Sequence, residues 1–580
     1  MNLAGILRKL RLTGPHALVI ISVVVGLATA GGALAFRVLI GYFNHIFFEL
    51  TDPKLEHVFG GGRIRFWLPL IPMLGGFLVG PIVYGFAKEA RGHGVPEVMN
   101  AIARLGGIIR PRVAAAKAVA SALCIGSGGS AGREGPIVQI GSALGSTIGQ
   151  YLRLSEDRIK ILVGCGAAAG ISSVFNAPIA GVMFSVEIIL GDFTIATFSP
   201  VLVSSVVASV LTRSVLGDHP AFAVPAYSLV SAWEIPLYML LGVVMGVVAV
   251  LFTRTLDVVE DVFEKLKVPD ISKPAVGGLL LGTIAVFFPQ ILADGYESIR
   301  LSLNGNIVLW MLIVLIFLKI MATSLTLGSG NSGGIFAPSL FMGAMAGGAF
   351  GAVAGKLFPG ITADSGAYAL VGMAGLVAGT THAPMTALLI IFEMTNDYRI
   401  VLPLMVTVAV ASLVARVLFS NSIYTVKLAK RGIDIRAGRD TNILRAHTVG
   451  EIAVSVYDTI PVSATLPAML SKMEQSRESD LIVVDSEGHL EGLVSFQDIR
   501  GVITRRELDS LVVAYDLVHR EVEAVDSKTD LEQLTNAFNV RGTKILPVIK
   551  SGDAQKVIGI VRKDDLTEFY NQKLVEHLRR

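Results

Sequence analysis

Three glycine-rich stretches interrupt apolar sequence, and each ends in a proline: Gly92-His93-Gly94-Val95-Pro96, Gly126-Ser-Gly-Gly-Ser-Ala-Gly-Arg133-Glu134-Gly135-Pro136 and Gly328-Ser-Gly-Asn-Ser-Gly-Gly-Ile335-Phe336-Ala-Pro338. Proline suits the first turn of a helix, where its missing N–H costs nothing. Each stretch therefore predicts a turn feeding a helix N-terminus. Such an end carries unpaired N–H groups and about half a positive elementary charge. Glycine lets the backbone approach a ligand closely, and the ligand that fits is an anion. Moving a small anion into a low-dielectric interior costs on the order of 20 kcal/mol in the idealised limit. Several partial charges offset that cost and leave exit fast, whereas a full lysine or arginine would hold the ion. Close helix packing through small residues explains any one such stretch; three together favour the anion site. A phosphate-binding loop does not fit, because Gly351-Ala-Val-Ala-Gly355-Lys356-Leu357 has the wrong spacing and no Ser or Thr.

Glu134 lies inside the second stretch. A carboxylate there costs roughly 2.5–3.5 kcal/mol on membrane-insertion scales, and it is drawn to the positive end that would hold a mobile anion. An ionised Glu134 occupies the site and a protonated one swings away, which makes a gate that responds to pH. The plainer alternative is a capping glutamate neutralised by Arg133.

The elements that position these residues belong to a membrane. The 580-residue chain is 52% hydrophobic and 16% charged, against roughly 25% charged in soluble domains. That excludes a soluble enzyme and a disordered chain, and a net charge of +3 gives no sign of a nucleic-acid binder. Cys124 and Cys165 sit in apolar stretches and exclude a disulfide scaffold. Apolar segments cover residues 17–43, 66–86, 161–180, 198–216, 235–252, 275–288, 307–327, 339–353, 367–378 and 401–419. Several are shorter than the roughly 20 residues a spanning helix needs. Broken helices are tolerated only where their ends face protein or water. The first segment is too long for a signal-peptide core of roughly 7–15 residues and reads as a retained helix. Arg8, Lys9 and Arg11 precede it, and Lys427, Lys430 and Arg431 follow the last segment. Both the N-terminus and the tail are therefore expected on the cytoplasmic side.

The segments repeat. Gly132-Arg-Glu-Gly-Pro136 and Gly334-Ile-Phe-Ala-Pro338 share a G-x-x-x-P frame, 334 − 132 = 202 residues apart. Pro178 and Pro384 close a second shared motif 206 residues apart, and Glu187 and Glu393 keep that offset. Two homologous halves follow, residues 70–215 and 275–420; these motifs alone leave open whether they run parallel or inverted. Interrupted segments in matching positions of two halves point to a transport site.

The three motifs resemble the signature set of the CLC family of chloride channels and proton-coupled chloride exchangers, and Tyr424, in Ser-Ile-Tyr-Thr, matches the family's pore tyrosine. The resemblance covers the whole chain. It implies an all-α polytopic membrane protein with two inverted-repeat halves over residues 1–432, assembled as a homodimer with one pore per subunit. It implies chloride as cargo, protons as a second partner in the exchangers, no required cofactor and no enzymatic activity. Glu134 would be the external gating glutamate. The N–H groups of Ile335 and Phe336, with the Tyr424 hydroxyl, would bind the central anion, and those around Arg133 to Gly135 would line the outer site.

Two positions depart from the family pattern. Where the first motif usually has a serine that contacts the central anion, this chain has His93, beside Gly94. A neutral imidazole donates one hydrogen bond and a protonated one adds charge, so preference for chloride over other anions stays open, as does a His93 turned away from the anion. The glutamate that relays protons in the exchangers falls at Ile188, counted from Asn176-Ala177-Pro178. Isoleucine carries no proton. The expectation is passive, channel-like or weakly proton-coupled transport; the alternative is a strictly coupled chloride/proton antiporter with a non-standard internal path. Glu187, matched by Glu393, reads as structural.

Residues 433–580 have ordinary soluble composition and repeat one pattern over 448–503 and 511–570. Leu481-Ile-Val-Val-Asp485 leads to Gly492-Leu-Val-Ser495-Phe-Gln-Asp498, and Ile545-Leu-Pro-Val-Ile549 leads to Gly559-Ile-Val-Arg562-Lys-Asp-Asp565. This frame resembles a tandem pair of CBS domains, small α/β units that often bind adenine nucleotides. The resemblance implies nucleotide contacts at Ser495, Asp498 and Asp565; the alternative is a dimerisation scaffold in which the two aspartates cap helices. A membrane-embedded enzyme lacks a His/Asp/Glu constellation, and a divalent-cation transporter would need more carboxylates than Glu134, Glu187 and Glu393.

Overall fold

The apolar segments fold as helices in a computed structural model that describes residues 15–49, 67–217, 227, 229–395, 398–433, 444, 447–454, 457–476, 480–503, 511–520, 524–541, 544–550 and 553–579. Arg8, Lys9 and Arg11 lie outside these. Contacts divide the chain into two units, Met1–Ile435 and Arg436–Arg580. In the first, one run comprises α1 (Pro15–Asn44), α2 (Leu70–Pro81), α3 (Val95–Arg104), α4 (Arg112–Gly126), α5 (Glu134–Tyr151), α6 (Glu156–Phe175), α7 (Pro178–Phe184) and α8 (Ile195–Leu216). The second run answers it helix for helix: α9 (Glu234–Lys265), α10 (Lys273–Ala285), α11 (Tyr296–Leu303), α12 (Leu309–Gly328), α13 (Phe336–Leu357), α14 (Ser365–Thr381), α15 (Pro384–Thr395) and α16 (Val401–Leu418), with a short α17 (Val426–Lys430) after it. Among the described residues, seven helices are long and apolar enough to cross a membrane, and three shorter apolar ones accompany them.

The halves are inverted. Gly132 N–H donates to Gly334 O at 2.8 Å and Gly334 N–H donates to Gly132 O at 2.6 Å, an antiparallel bridge between repeat mates. Equivalent residues exchange both bonds in this way about a local two-fold axis, which reverses chain direction. The packing obeys the same symmetry. A Cβ on Gly141 would strike the carbonyl of Gly166, and one on Gly343 would strike that of Gly372, so α5–α6 and α13–α14 approach through the same small residues.

Segment 161–180 is two helices rather than one. Asn176 takes a left-handed conformation (φ 57) that ends α6, and Pro178 starts α7. Its mate His382 does the same (φ 58) between α14 and α15. Segment 235–252 is only the apolar part of α9, which runs on to Lys265. The acids of that extension meet the basic cluster, Lys427 with Glu260 at 2.6 Å and Lys430 with Asp257 and Asp261 at 2.7 and 2.8 Å, while Arg431 meets Glu97 of α3 at 3.1 Å. Outward faces are apolar, with Leu240, Val243, Val247 and Leu251 exposed along α9 and Ile313, Phe317 and Met321 along α12. Water would penalise such stripes; hydrocarbon does not.

The second unit holds two copies of one small α/β pattern. In the first, β1 (Thr459–Pro461), α18 (Leu466–Gln475), β2 (Asp480–Val484), β3 (Leu490–Ser495) and α19 (Phe496–Arg500) precede a single turn, α20 (Ala514–Leu517). In the second come β4 (Val525–Asp526), α21 (Leu531–Arg541), β5 (Ile545–Lys550), β6 (Asp553–Arg562) and α22 (Lys563–Arg579). Each sheet pairs its first two strands parallel and its last two antiparallel. Branched side chains of β2 and β5, including Leu481, Val483, Leu546 and Val548, fill the two cores.

Candidate functional site

All three glycine motifs end in helix starts. Gly94, Arg133 and Ile335 are the N-cap residues of α3, α5 and α13. Gly94 has φ 84, a left-handed conformation that glycine adopts without strain. Backbone bonds stitch the turns together: Gly92 N–H donates to Asn331 O at 3.0 Å, Gly333 N–H donates to Gly92 O at 3.2 Å, and the Gly132–Gly334 pair closes the set. A Cβ on Gly135 would strike His93 O and crowd Gly334 Cα, so the three motifs touch at one point. First-turn N–H groups of a helix have no partner within it; here three such turns meet in the protein interior. Ile335 and Phe336 are buried, and Phe336 packs on Phe175 with ring centroids 5.4 Å apart.

Tyr424 joins this junction just before α17. It is 2% exposed, its ring lies 5.8 Å from that of His93, and the preceding Ile423 N–H is anchored on Thr380 O at 2.9 Å. The His93 imidazole therefore turns toward Tyr424, and its Nδ1 is buried with no hydrogen-bond partner among the described residues. Ile188 is buried in the π-helical turn Ser185–Leu190. Glu187 beside it accepts from the N–H groups of Met385 and Thr386 at the start of α15.

Glu134 opens α5 and is 1% exposed. Its Oε1 accepts the Tyr296 hydroxyl at 2.7 Å, and the Arg133 guanidinium lies 5.1 Å from the centre of the Tyr296 ring. Sequence reading missed Tyr296, and it missed two buried lysines. Lys117 on α4 and Lys319 on α12 are fully buried. Lys117 Nζ donates to Ala90 O and Gly92 O at 3.0 and 2.7 Å, and Lys319 Nζ donates to Ile291 O and Ala293 O, both at 2.9 Å. Two buried lysine amino groups stand behind the turns, one in each half. A carbonyl turned toward such a donor sends the N–H of the same planar peptide the other way. The signal was available, because the two lysines lie 319 − 117 = 202 residues apart, the spacing of the G-x-x-x-P pair.

A family model described as "Voltage gated chloride channel" matches residues 75–416, and a CBS domain model matches 449–508 and 513–571. The chain belongs to the CLC family. A putative chloride channel protein ClcB-like of Ralstonia nicotianae is 35% identical over 418 residues, covering 71% of this chain and 97% of the relative. An H(+)/Cl(-) exchange transporter ClcA of Vibrio campbellii is 34% identical over 374 residues, covering 63% and 80%. The crystal structure of a slow cyanobacterial Cl-/H+ antiporter superposes with a TM-score of 0.65 at 28% identity, over 71% of this chain and 97% of that one. This is a multi-pass CLC membrane protein with a C-terminal CBS pair.

In the CBS pair, Ser495 and Asp498 form a capping box at α19: Ser495 N–H and Oγ donate to Asp498 Oδ2 at 2.9 and 2.8 Å. His519 Nε2 lies 2.8 Å from Asp498 Oδ1. Burial opposes ionisation of Asp498, but the bonds from His519 and Ser495 outweigh it and hold the carboxyl below the usual aspartate range. His519 also lines a cavity of about 470 Å³ with Tyr515, Asp516, Val518 and Arg520. Asp565 lies 3.7 Å from Arg562 on α22's first turn.

Proposed function

We propose that this CLC protein moves chloride passively or with weak proton coupling, along a pathway through residues 1–432 gated by Glu134. The meeting of three helix starts, with a carboxylate at one of them, carries the reading. Partial charges from Ile335, Phe336 and the residues around Arg133 to Gly135 offset the cost of dehydrating an anion, with His93, Gly94 and Tyr424 alongside. Deprotonated Glu134 competes for the same field; protonated Glu134 yields it. Ile188 offers no proton station, and Glu187 is occupied in capping α15. The working form is a membrane homodimer with both termini cytoplasmic.

The names of the Vibrio relative and of the cyanobacterial neighbour favour a second reading, strict chloride/proton exchange by another internal route. Reconstituted liposomes under a chloride gradient, with chloride efflux and proton uptake recorded together, decide between them. Proton movement that follows no fixed ratio supports the first; a constant stoichiometry that drives protons uphill replaces it with the second.

The open depression at Tyr515–Arg520 is the candidate seat for a nucleotide. Tyr515 offers an aromatic face and Arg520, with its guanidinium 4.1 Å from the centre of that ring, a cation for phosphate. An adenine nucleotide fits these residues. Asp498 would act there through His519 and Ser495 through the cap it shares with Asp498, and Asp565 stands at the matching position of the second copy.

A further inference from the structure

The turn that carries Tyr296 is the second-half counterpart of the first glycine motif. The two buried lysines grip carbonyls at matching places, Ala90 and Gly92 in one half, Ile291 and Ala293 in the other, each pair 201 residues apart (291 − 90 and 293 − 92). Gly92 and Ala293 both have positive φ, 72 and 49. Gly94 and Gly295 then cap α3 and α11 with φ 84 and 76. Where the first half begins its helix with Val95, the second begins with Tyr296. The two-fold that places the first motif beside the junction places this turn beside it as well, at Glu134.

From that position the Tyr296 hydroxyl reaches Glu134 Oε1 at 2.7 Å, while Oε2 is buried with no hydrogen-bond partner among the described residues. Arg133 lies over the Tyr296 ring and fixes its tilt. The other charged or titratable groups facing this pair are Asp294 on the turn and Tyr424 across the junction, while Lys319 holds the turn through Ala293 O. We propose that Tyr296 is the positioning residue of the gate: its hydroxyl seats the Glu134 carboxylate in the anion's place, and the gate opens only when that bond is given up. A hydrogen bond donated to a carboxylate favours its charged form. Protonation of Glu134 weakens the bond and frees the side chain, so Tyr296 sets how acidic the medium must be before chloride flows. This rests on Glu134 being the gate.

Flux from liposomes holding the full-length protein, measured across pH, is the test. Tyr296→Phe keeps the ring and removes only the donor. Its midpoint for activation should move about one pH unit higher, with roughly tenfold more flux at a fixed pH above the midpoint, in keeping with the worth of a hydrogen bond to a charged group. In a Glu134→Gln background the same substitution should leave the profile unchanged. A ring-fluorinated tyrosine at 296, a stronger donor, should move the midpoint lower, and it serves if the phenylalanine variant does not fold. An unmoved midpoint in either variant, or an equal shift without Glu134, overturns the proposal while a pH-flat Glu134→Gln protein leaves the gate standing. Wild-type pH dependence in Glu134→Gln alone overturns both.

Discussion

Glu187 and Glu393 each cap a helix of the opposite half. Glu187 Oε1 and Oε2 accept the N–H groups of Met385 and Thr386 at 3.2 and 2.7 Å, and Glu393 accepts those of Ile179 and Ala180 at 3.0 and 2.7 Å. The acceptor and donor pairs are repeat mates, 206 residues apart. Both carboxylates sit on the unpaired amides and positive end of a helix, where an anion is stabilised. They fasten the two halves together.

Glu187→Gln and Glu393→Gln should therefore each cost about 1.5–3 kcal/mol, the worth of hydrogen bonds to a charged group, and Glu187→Gln the more, because its carboxylate also accepts the Thr386 hydroxyl at 2.7 Å. Thermal unfolding in detergent measures this, and proton movement per chloride should be unchanged. A Glu187 variant of normal stability with altered coupling would place Glu187 in a proton path.

Lys319→Met should strip the Ile291 and Ala293 carbonyls of the donor they share. An unsatisfied buried group costs about 1–3 kcal/mol, so this variant should unfold well below the wild type and conduct poorly. Lys117→Met should cost less, because the Ala90 and Gly92 carbonyls keep the Ser332 hydroxyl and the Gly333 N–H as donors. A stable, fully active Lys319→Met protein would mean that the turn before Tyr296 needs no such anchor.

His93 shares the junction with Tyr424. His93→Ser replaces an imidazole by a neutral hydroxyl and should change the chloride-to-nitrate permeability ratio roughly fivefold, the worth of one neutral hydrogen bond. Ratios measured from reversal potentials that do not differ from wild type would show that the imidazole does not touch the anion.

Asp498 gives the tail an acid limit. Its carboxyl is held below the usual aspartate range by His519 and Ser495 despite the opposing effect of burial. A depressed value adds stability above the unfolded aspartate value of about 4 and loses it as pH falls through the folded one. Asp498→Asn should lower the stability of the CBS pair at neutral pH and remove that part of its acid sensitivity. Hydrogen exchange of 490–503 in the intact protein reads both; protection equal to wild type at pH 7 would show the cap to be dispensable.

Much of the pathway can be read from residues alone because proline and glycine have strong local rules. Pro96, Pro136 and Pro338 mark helix starts wherever they fall, and the G-x-x-x-P spacing exposes the repeat. The counterpart turn at Ala293–Asp294–Gly295–Tyr296 escapes notice because it keeps only one glycine of Gly92-His93-Gly94-Val95 and no proline. What it does keep is two positive φ angles, which are backbone geometry, and a lysine behind it that only the 202-residue offset from Lys117 exposes. Lys319 hides in segment 307–327 because one lysine barely lowers the mean hydropathy of so apolar a stretch. The break at Asn176 escapes for a similar reason: a left-handed asparagine between two apolar helices changes direction without changing hydropathy. Glu187 reads as structural from its offset to Glu393, but its partners Met385 and Thr386 are two hundred residues away, where only the fold could bring them.

The central claim is that helix-start amides hold the anion and that Glu134 competes for its place. Anomalous diffraction from bromide-soaked crystals of the wild type and of Glu134→Gln tests it most directly. The account expects a peak bounded by the N–H groups of Ile335 and Phe336 and the Tyr424 hydroxyl, and in Glu134→Gln a second peak where the carboxylate now lies. Bromide found only against Lys117 or Lys319, or a Glu134→Gln map with no added peak, would contradict it.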